Sequence, residues 1–331
     1  MANSDPLRVG LVGTGYAGQR RAEAVAADER AELVAIAGHT QAHLAALCEK
    51  SGATACDSWR QLIRQPSLDL IIVATINRSH AEIVRAALEA GKHVVVEYPL
   101  ALDLEEARSL LDLARQQQRL LHIEHIELLG GLHQTLRQTL PRLGAINYAR
   151  YTTLTPQRPI TGRWTYHQEL FGFPLCAALS RIHRFTDLFG PVVRVSGQAR
   201  YWDLSATGAY RACLCTAQMQ FASGLLADVT YGKGEVFWQA ARTFELHGEE
   251  GSLLFENETG RLVRGDEIET IPALSRRGLF ALDTTAVLDH LSSGEPLYVQ
   301  STASLYALEV ADAIRRSATT GQAVTLTPPS S

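Results

Sequence analysis

Lysine is scarce in this chain: Lys50, Lys92 and Lys233 are the only three among 31 basic residues in 331. A cation in a pocket here is therefore nearly always a guanidinium, which suits a two-point grip on carboxylates. Long apolar runs are also missing. The longest, such as Leu70 to Thr75, are strand-sized and too short to cross a bilayer. Basic runs are absent and the formal net charge is −4, which argues against nucleic acid or an anionic membrane as a partner. The opening Met-Ala-Asn-Ser-Asp-Pro has no basic segment followed by an apolar one, so no secretory signal is expected. Five cysteines (Cys48, Cys56, Cys176, Cys213 and Cys215) are an odd number at irregular spacing. That pattern fits reduced thiols in a cytoplasm and not a disulfide framework. Cys213 and Cys215 fall on one face of a strand, where they are expected to pack. Nothing in the pattern fixes an oligomeric state.

What is present is led by Arg8-Val-Gly-Leu-Val-Gly-Thr-Gly-Tyr-Ala-Gly-Gln-Arg-Arg, a short apolar strand running through a glycine-rich turn into a helix. Gly13, Gly15 and Gly18 have the G-x-G-x-x-G spacing of a dinucleotide-binding turn, with Thr14, Tyr16 and Ala17 between them. Such a turn brings backbone close to a pyrophosphate and aims the positive end of a helix at it. A second strand, Leu33 to Ala37, ends Gly38-His39-Thr40, without the carboxylate that would accept a ribose 2′-OH. Its absence removes repulsion against a 2′-phosphate and favours NADPH over NADH, with His39 and Thr40 as phosphate partners. Arg20 and Arg21 read first as a solvated helix face and only second as further partners.

Helices at 41–50 and near 58–64 precede a strand through Leu68–Thr75. A helix Ala81–Ala90 closed by Gly91, a strand Lys92–Pro99, a helix Leu104–Gln117 and a strand Leu120–Glu124 follow. This alternation predicts a parallel doubly wound sheet of Rossmann type. After residue 126 the texture changes to strands at 145–153, 192–201, 211–221, 224–231, 242–246 and 252–255, with helices at 132–140, 177–189 and 302–317. The chain is therefore α/β, with domains expected at 1–126 and 127–331. The second is α+β with a mostly antiparallel sheet, and the tail from Thr325 is expected to fray.

Ligands in open α/β sheets bind beyond the carboxyl ends of the strands. The residues expected there are the glycine turn, His39-Thr40, Ala74-Thr75 with Asn77 and His80, Glu97-Tyr98, and Glu124 to Glu127. His122 and His125 lie on opposite faces of a strand and lack a helical zinc spacing, so no metal site is expected.

The order GTGYAG, ATINRSH, GKHVVVEYP resembles the glucose–fructose oxidoreductase and inositol dehydrogenase family. That family's third motif normally reads Glu-Lys-Pro, and its lysine is Tyr98 here. The helix that would carry the family's Asp-x-x-x-His pair, Gly172 to Phe185, places Cys176 and Ser180 at the nearest spacing. Oxidation of a sugar hydroxyl then lacks its base. The motifs VEYPL, LLHIEHIELL and FGFPLCAALSRIHRFTDLFG are similar to those of the biliverdin reductases, the cyanobacterial type in particular. This resemblance implies NADPH-dependent reduction of biliverdin, hydride passing to the central methine carbon and a proton to a pyrrole nitrogen.

The residues suit that chemistry. Arg181 and Arg184, three apart on one helix, are placed to hold propionates or to stabilise charge on the tetrapyrrole; an ion pair with Asp187 or a surface position is the alternative. Tyr98 is read as a proton or hydrogen-bond donor, or as a ring packed on the cofactor. Glu97, Glu124 and Glu127 are candidates for a proton relay. Trp164, Tyr166, Phe171 and Phe173 either pack as core or line a flat pigment. A polyol dehydrogenase with a different base and a non-catalytic NAD(P)-binding sensor stand as the competing functions.

Overall fold

The computed structural model describes residues 5–275 and 277–327. The chain forms two compact units: one runs through Leu129 and resumes over Gly278–Leu305, the other comprises Gly130–Arg277 and the chain from Tyr306. The division expected at 126 lies three residues from the first crossing, but two continuous domains do not describe the chain. Residues 278–305 return to the first unit.

In the first unit the strands β1 (Leu7–Val12), β2 (Ala31–Ala37), β3 (Thr54–Cys56), β4 (Leu70–Val73), β5 (His93–Val96) and β6 (Leu121–Ile123) form one sheet. Its order is β3-β2-β1-β4-β5-β6 and all pairs are parallel. The strands are apolar on both faces because helices cover both sides; Leu70–Val73 is buried at every position. Strand order reverses between β1 and β4, which opens the crevice that doubly wound sheets use for ligands. The helix Leu104–Gln116 starts as its sequence dictates: Asp103 accepts a hydrogen bond from the Glu106 N–H, with Glu105 and Glu106 in the first turn. Elements not anticipated include the short edge strand β3, the short helix Ile126–Leu129 and the helix Leu279–Ser293, whose Val287 packs with Val9, Leu33, Leu70 and Val95.

The second unit is built on a nine-stranded sheet of β7 (Ile146–Pro156), β8 (Val192–Trp202), β9 (Ala212–Phe221), β10 (Leu226–Gly234), β11 (Ala241–Gly248), β12 (Gly251–Glu256), β13 (Thr259–Arg264), β14 (Glu267–Pro272) and β15 (Val324–Thr325). Its order is β14-β13-β12-β11-β7-β10-β9-β8-β15. Only β7 and β10 run parallel; the other neighbours are antiparallel. The hairpin β13–β14 was not expected. Thr325 pairs with Arg194 instead of fraying; the end of that tail, 328–331, lies outside the described residues. The helix expected over 177–189 is interrupted: Pro174–Ala177 stops at Ala178 (φ −99°, ψ 42°), and a new helix spans Ser180–Phe189. That helix packs on the sheet through Phe185, whose ring lies 5.5 Å from Phe244 and 6.5 Å from Tyr151.

Candidate functional site

The carboxyl ends of the parallel strands come together through the sheet's own bonding. Gly13 N–H donates to Ala37 O at 2.8 Å, Ala74 N–H to Val12 O at 2.8 Å, Glu97 N–H to Val73 O at 3.0 Å and Glu124 N–H to Val96 O at 3.0 Å. The glycine turn, Ala74-Thr75, Glu97-Tyr98 and Glu124-His125 therefore form one rim, as the sequence predicts.

Each glycine of the turn has its own reason. A Cβ on Gly13, at φ +117°, would lie 2.1 Å from the Ala74 carbonyl oxygen, and one on Gly18 would lie 2.1 Å from the Gly13 carbonyl oxygen. Those two permit close backbone packing. Gly15 differs: a Cβ there meets no protein atom within 4 Å. The requirement for glycine at 15 is then external, which is what a backbone approached by a pyrophosphate needs. Gly15 caps the helix Tyr16–Ala26 without a side-chain hydrogen bond, leaving its first N–H groups for an anion. The turn thus fits a dinucleotide. Thr14 is buried against Gly38, while Tyr16, His39 and Thr40 are exposed beside the turn.

His80 and Asn77 are buried. The His80 ring spans two rim loops, with Nδ1 2.8 Å from Pro99 O and Nε2 3.2 Å from Thr75 O. Burial lowers its pKa, and the shorter contact marks Nδ1–H as the donor to Pro99, which ties the His80 helix start to that loop. Tyr98 stacks on His125, centroids 5.1 Å apart and planes within 4°.

Beneath the rim lies a charge network that the sequence did not disclose. Arg21, expected on a solvated helix face, is 1% exposed. It donates to Glu97 at 2.8 Å and pairs with Asp283. Asp283 also accepts from His122 Nε2 at 2.8 Å and from the Tyr298 hydroxyl at 2.6 Å. Burial pushes the Asp283 carboxyl up, but Arg21 and His122 outweigh it and hold it well below the carboxylate range. Glu124, also buried, moves the other way. Burial and then the charge of Glu97 raise it well above its usual value, against the pull of Arg21. Glu127, on the short helix Ile126–Leu129, is half-buried.

In the second unit Arg181 is half-buried with its guanidinium 5.1 Å from the Tyr231 ring centroid, and its Nη1 donates to Ser180 Oγ at 3.1 Å. Arg184 is 1% exposed and lies 5.6 Å from the Tyr151 ring. The proposed partner Asp187 is held by His133 at 2.7 Å and Arg137 at 3.7 Å. Of the aromatic cluster, Tyr166 and Phe171 are buried, with Trp164 6.0 Å from Phe171.

Asp283, Tyr298 and Lys233 were not picked out from the sequence. For Lys233 a signal existed: it shares the parity of the inward Ala227, Val229 and Tyr231 on β10. Among the described residues no group of three or more His, Cys, Asp or Glu side chains is placed to hold a metal, and no helix is long and apolar enough to cross a membrane.

Comparison with known proteins gives a consistent picture. Residues 7–125 match an oxidoreductase family described by its NAD-binding Rossmann fold, and residues 139–326 match that family's C-terminal alpha/beta domain. The crystal structure of biliverdin reductase from Synechocystis sp. PCC 6803, in complex with biliverdin and NADP+, superposes with a TM-score of 0.92. It is 55% identical, over 94% of this chain and 99% of that one. Mouse (Mus musculus) biliverdin reductase A is 34% identical over 139 residues, 42% of this chain. That match spans only 44% of the mouse protein. Levoglucosan dehydrogenase in complex with NADH shares the fold, with a TM-score of 0.84 at 20% identity over 98% of this chain and 100% of that one.

Proposed function

The chain belongs to the oxidoreductase family whose NAD-binding Rossmann and C-terminal alpha/beta domains it matches, and we propose that it reduces biliverdin to bilirubin with NADPH. The observation that carries this reading is a likeness running through both units to an enzyme crystallised with biliverdin and NADP+. The tyrosine at position 98, where alcohol-oxidising relatives keep a lysine, agrees with it. When bound, NADPH supplies the hydride that the central methine carbon of the pigment takes up.

The chain's own residues then have definable tasks. Gly13 to Gly18 cradle the pyrophosphate, and His39 with Thr40 receive the 2′-phosphate, since no carboxylate ends β2. Ala74, Thr75 and Asn77 line the rim, with His80 holding its loops at fixed separation. Tyr98 presents a ring and a hydroxyl beside the nicotinamide, and Glu97 and Glu127 relay protons. Glu124 stands behind them, its carboxyl raised by burial and by the charge of Glu97. Arg181 takes the pigment's propionates, the geometry a guanidinium serves best. Arg184, buried against Tyr151, fixes the helix that carries it. Five free thiols support a cytoplasmic setting.

The test is direct: protein, NADPH and biliverdin should produce the bilirubin absorbance band. Its absence at every pH tried, or reduction of NADP+ by polyols instead, overturns the reading. Arg181→Ala is expected to lower kcat/KM for biliverdin at least tenfold while NADPH affinity changes less than about twofold. An unchanged kcat/KM removes Arg181 from the site.

A further inference from the structure

Lys233 stands near the end of β10 with its side chain on the buried face of the sheet and is 6% exposed. Its ammonium donates to the carbonyl of Thr165 and lies 3.3 Å from the Phe171 ring centroid and 4.8 Å from that of Tyr166. Among the described residues no carboxylate pairs with it. A buried ammonium with only a carbonyl and two ring faces for company lacks the counter-charge that such a group ordinarily requires. Such a group either gives up its proton or takes an anion from outside.

The neighbours say where that anion sits. Tyr231 is two residues back on the same strand and therefore on the same face, and Arg181 stacks over its ring. Arg181 and Lys233 thus place two positive charges over one patch of sheet, close enough that Arg181 acts on the lysine's titration. The other titratable groups facing the lysine carry no charge near neutrality. Cys213 lies opposite it on β9, with a thiol raised by burial. The hydroxyls of Tyr166, from the preceding loop, and Tyr210, from the segment before β9, are also raised by burial, Tyr166 to about 12.

We propose that Lys233 is a positioning residue for the carboxylates of the pigment, supplying beside Arg181 the second cation that draws the propionates to this face of the sheet. The inference rests on the reading of the second unit as the pigment-binding one. Burial brings the ammonium down to about 7, and the charge of Arg181 acts in the same direction. Lys233 is then charged below that pH and neutral above it, while Arg181 stays charged throughout. Affinity for a dicarboxylate should fall as the pH rises through 7.

The experiment measures kcat and KM for biliverdin from about pH 6 to 9 at saturating NADPH, with pigment binding followed separately by its absorbance change. The wild type should show KM rising about fivefold across pH 7 with kcat changing much less. Lys233→Arg should keep KM low and flat, because its charge does not titrate. Lys233→Met should give the raised value at every pH. Biliverdin dimethyl ester, which lacks the carboxylates, should show no step with the wild type. A pH-independent wild-type KM, or a step that persists in Lys233→Arg, overturns the proposal even if Lys233→Met fails to fold. Should the protein bind biliverdin with the expected step yet never reduce it, this inference stands and the reaction assignment falls. No binding at any pH sinks both.

Discussion

Arg21 and Asp283 lie 262 positions apart and meet as a fully buried ion pair. Around Arg21, burial opposes the charge while Asp283 and Glu97 sustain it, leaving the guanidinium more firmly protonated than in water. Such a pair contributes little against an apolar replacement of both partners, yet losing one partner strands the other. Asp283→Asn is therefore expected to cost about 3–5 kcal/mol of unfolding free energy, read from urea denaturation at pH 7. The pH dependence has a definite sign. The unfolded carboxyl titrates near 3.8 and the folded one lower, so its contribution is complete above that value and is lost as the pH falls below it. Asp283→Asn should decline less steeply than the wild type over that acid window. Equal slopes would mean that the carboxyl is not held ionised by Arg21. Nothing near Arg21 in the chain announces this role: Gln19-Arg-Arg-Ala-Glu reads as a polar helix face. Only a partner from the far end of the chain makes that position core.

At the level of elements, the glycine turn separates packing from binding. Gly13→Ala puts a methyl into the Ala74 carbonyl at a φ of +117°, a conformation that costs an L-residue on the order of 1–2 kcal/mol even without the clash. It should lower the melting temperature and NADPH affinity together. Gly15→Ala adds a methyl to open space, at a φ of −74° that alanine adopts freely. Its melting temperature should stay within a degree or so of wild type while NADPH affinity falls at least tenfold, about 1.4 kcal/mol. Titration of cofactor fluorescence checks both variants. Tight binding by Gly15→Ala would show that the pyrophosphate lies elsewhere. This turn was legible in the sequence because its function is written in local backbone demands. So were the strands of the first sheet other than β3, apolar over most of their length, and the alternating inner strands of the second. The missed elements lack such local marks. The helix Leu279–Ser293 has apolar residues around its whole circumference, leaving Leu282 54% exposed, and begins after Gly278 without a side-chain cap. In the hairpin β13–β14 only Gly260 and Leu262 of β13 are buried, and most of β14 is exposed. The outer strand β14 is held mainly by pairing with β13 and not by an apolar face.

On the scale of the whole molecule, the first unit is discontinuous in sequence. Residues 278–305 bring it Asp283 for Arg21 and His122, Val287 for the face of the sheet, the Tyr298 hydroxyl for the His125 N–H at 3.1 Å, and Ser304 for His125 Nε2 at 2.8 Å. A fragment ending at Leu129 would leave a buried guanidinium short of one carboxylate, take Asp283 from His122 and Ser304 from His125, and leave the surface around Val9, Leu33 and Leu70 open to water. Each of these is a large unfavourable term for a domain whose net stability is about 5–15 kcal/mol. The fragment 1–129 is thus expected to be unfolded or molten, with no cooperative melt and no NADPH binding. Joining residues 278–305 to it through a flexible Gly/Ser linker should restore a cooperative transition and measurable cofactor affinity, since the linker's closure entropy is small beside the burial regained. Circular dichroism melts and NADPH titration of the two proteins decide the matter. A fragment 1–129 that melts cooperatively and binds NADPH unaided would show that the returning segment decorates the dinucleotide fold and is not required to form it.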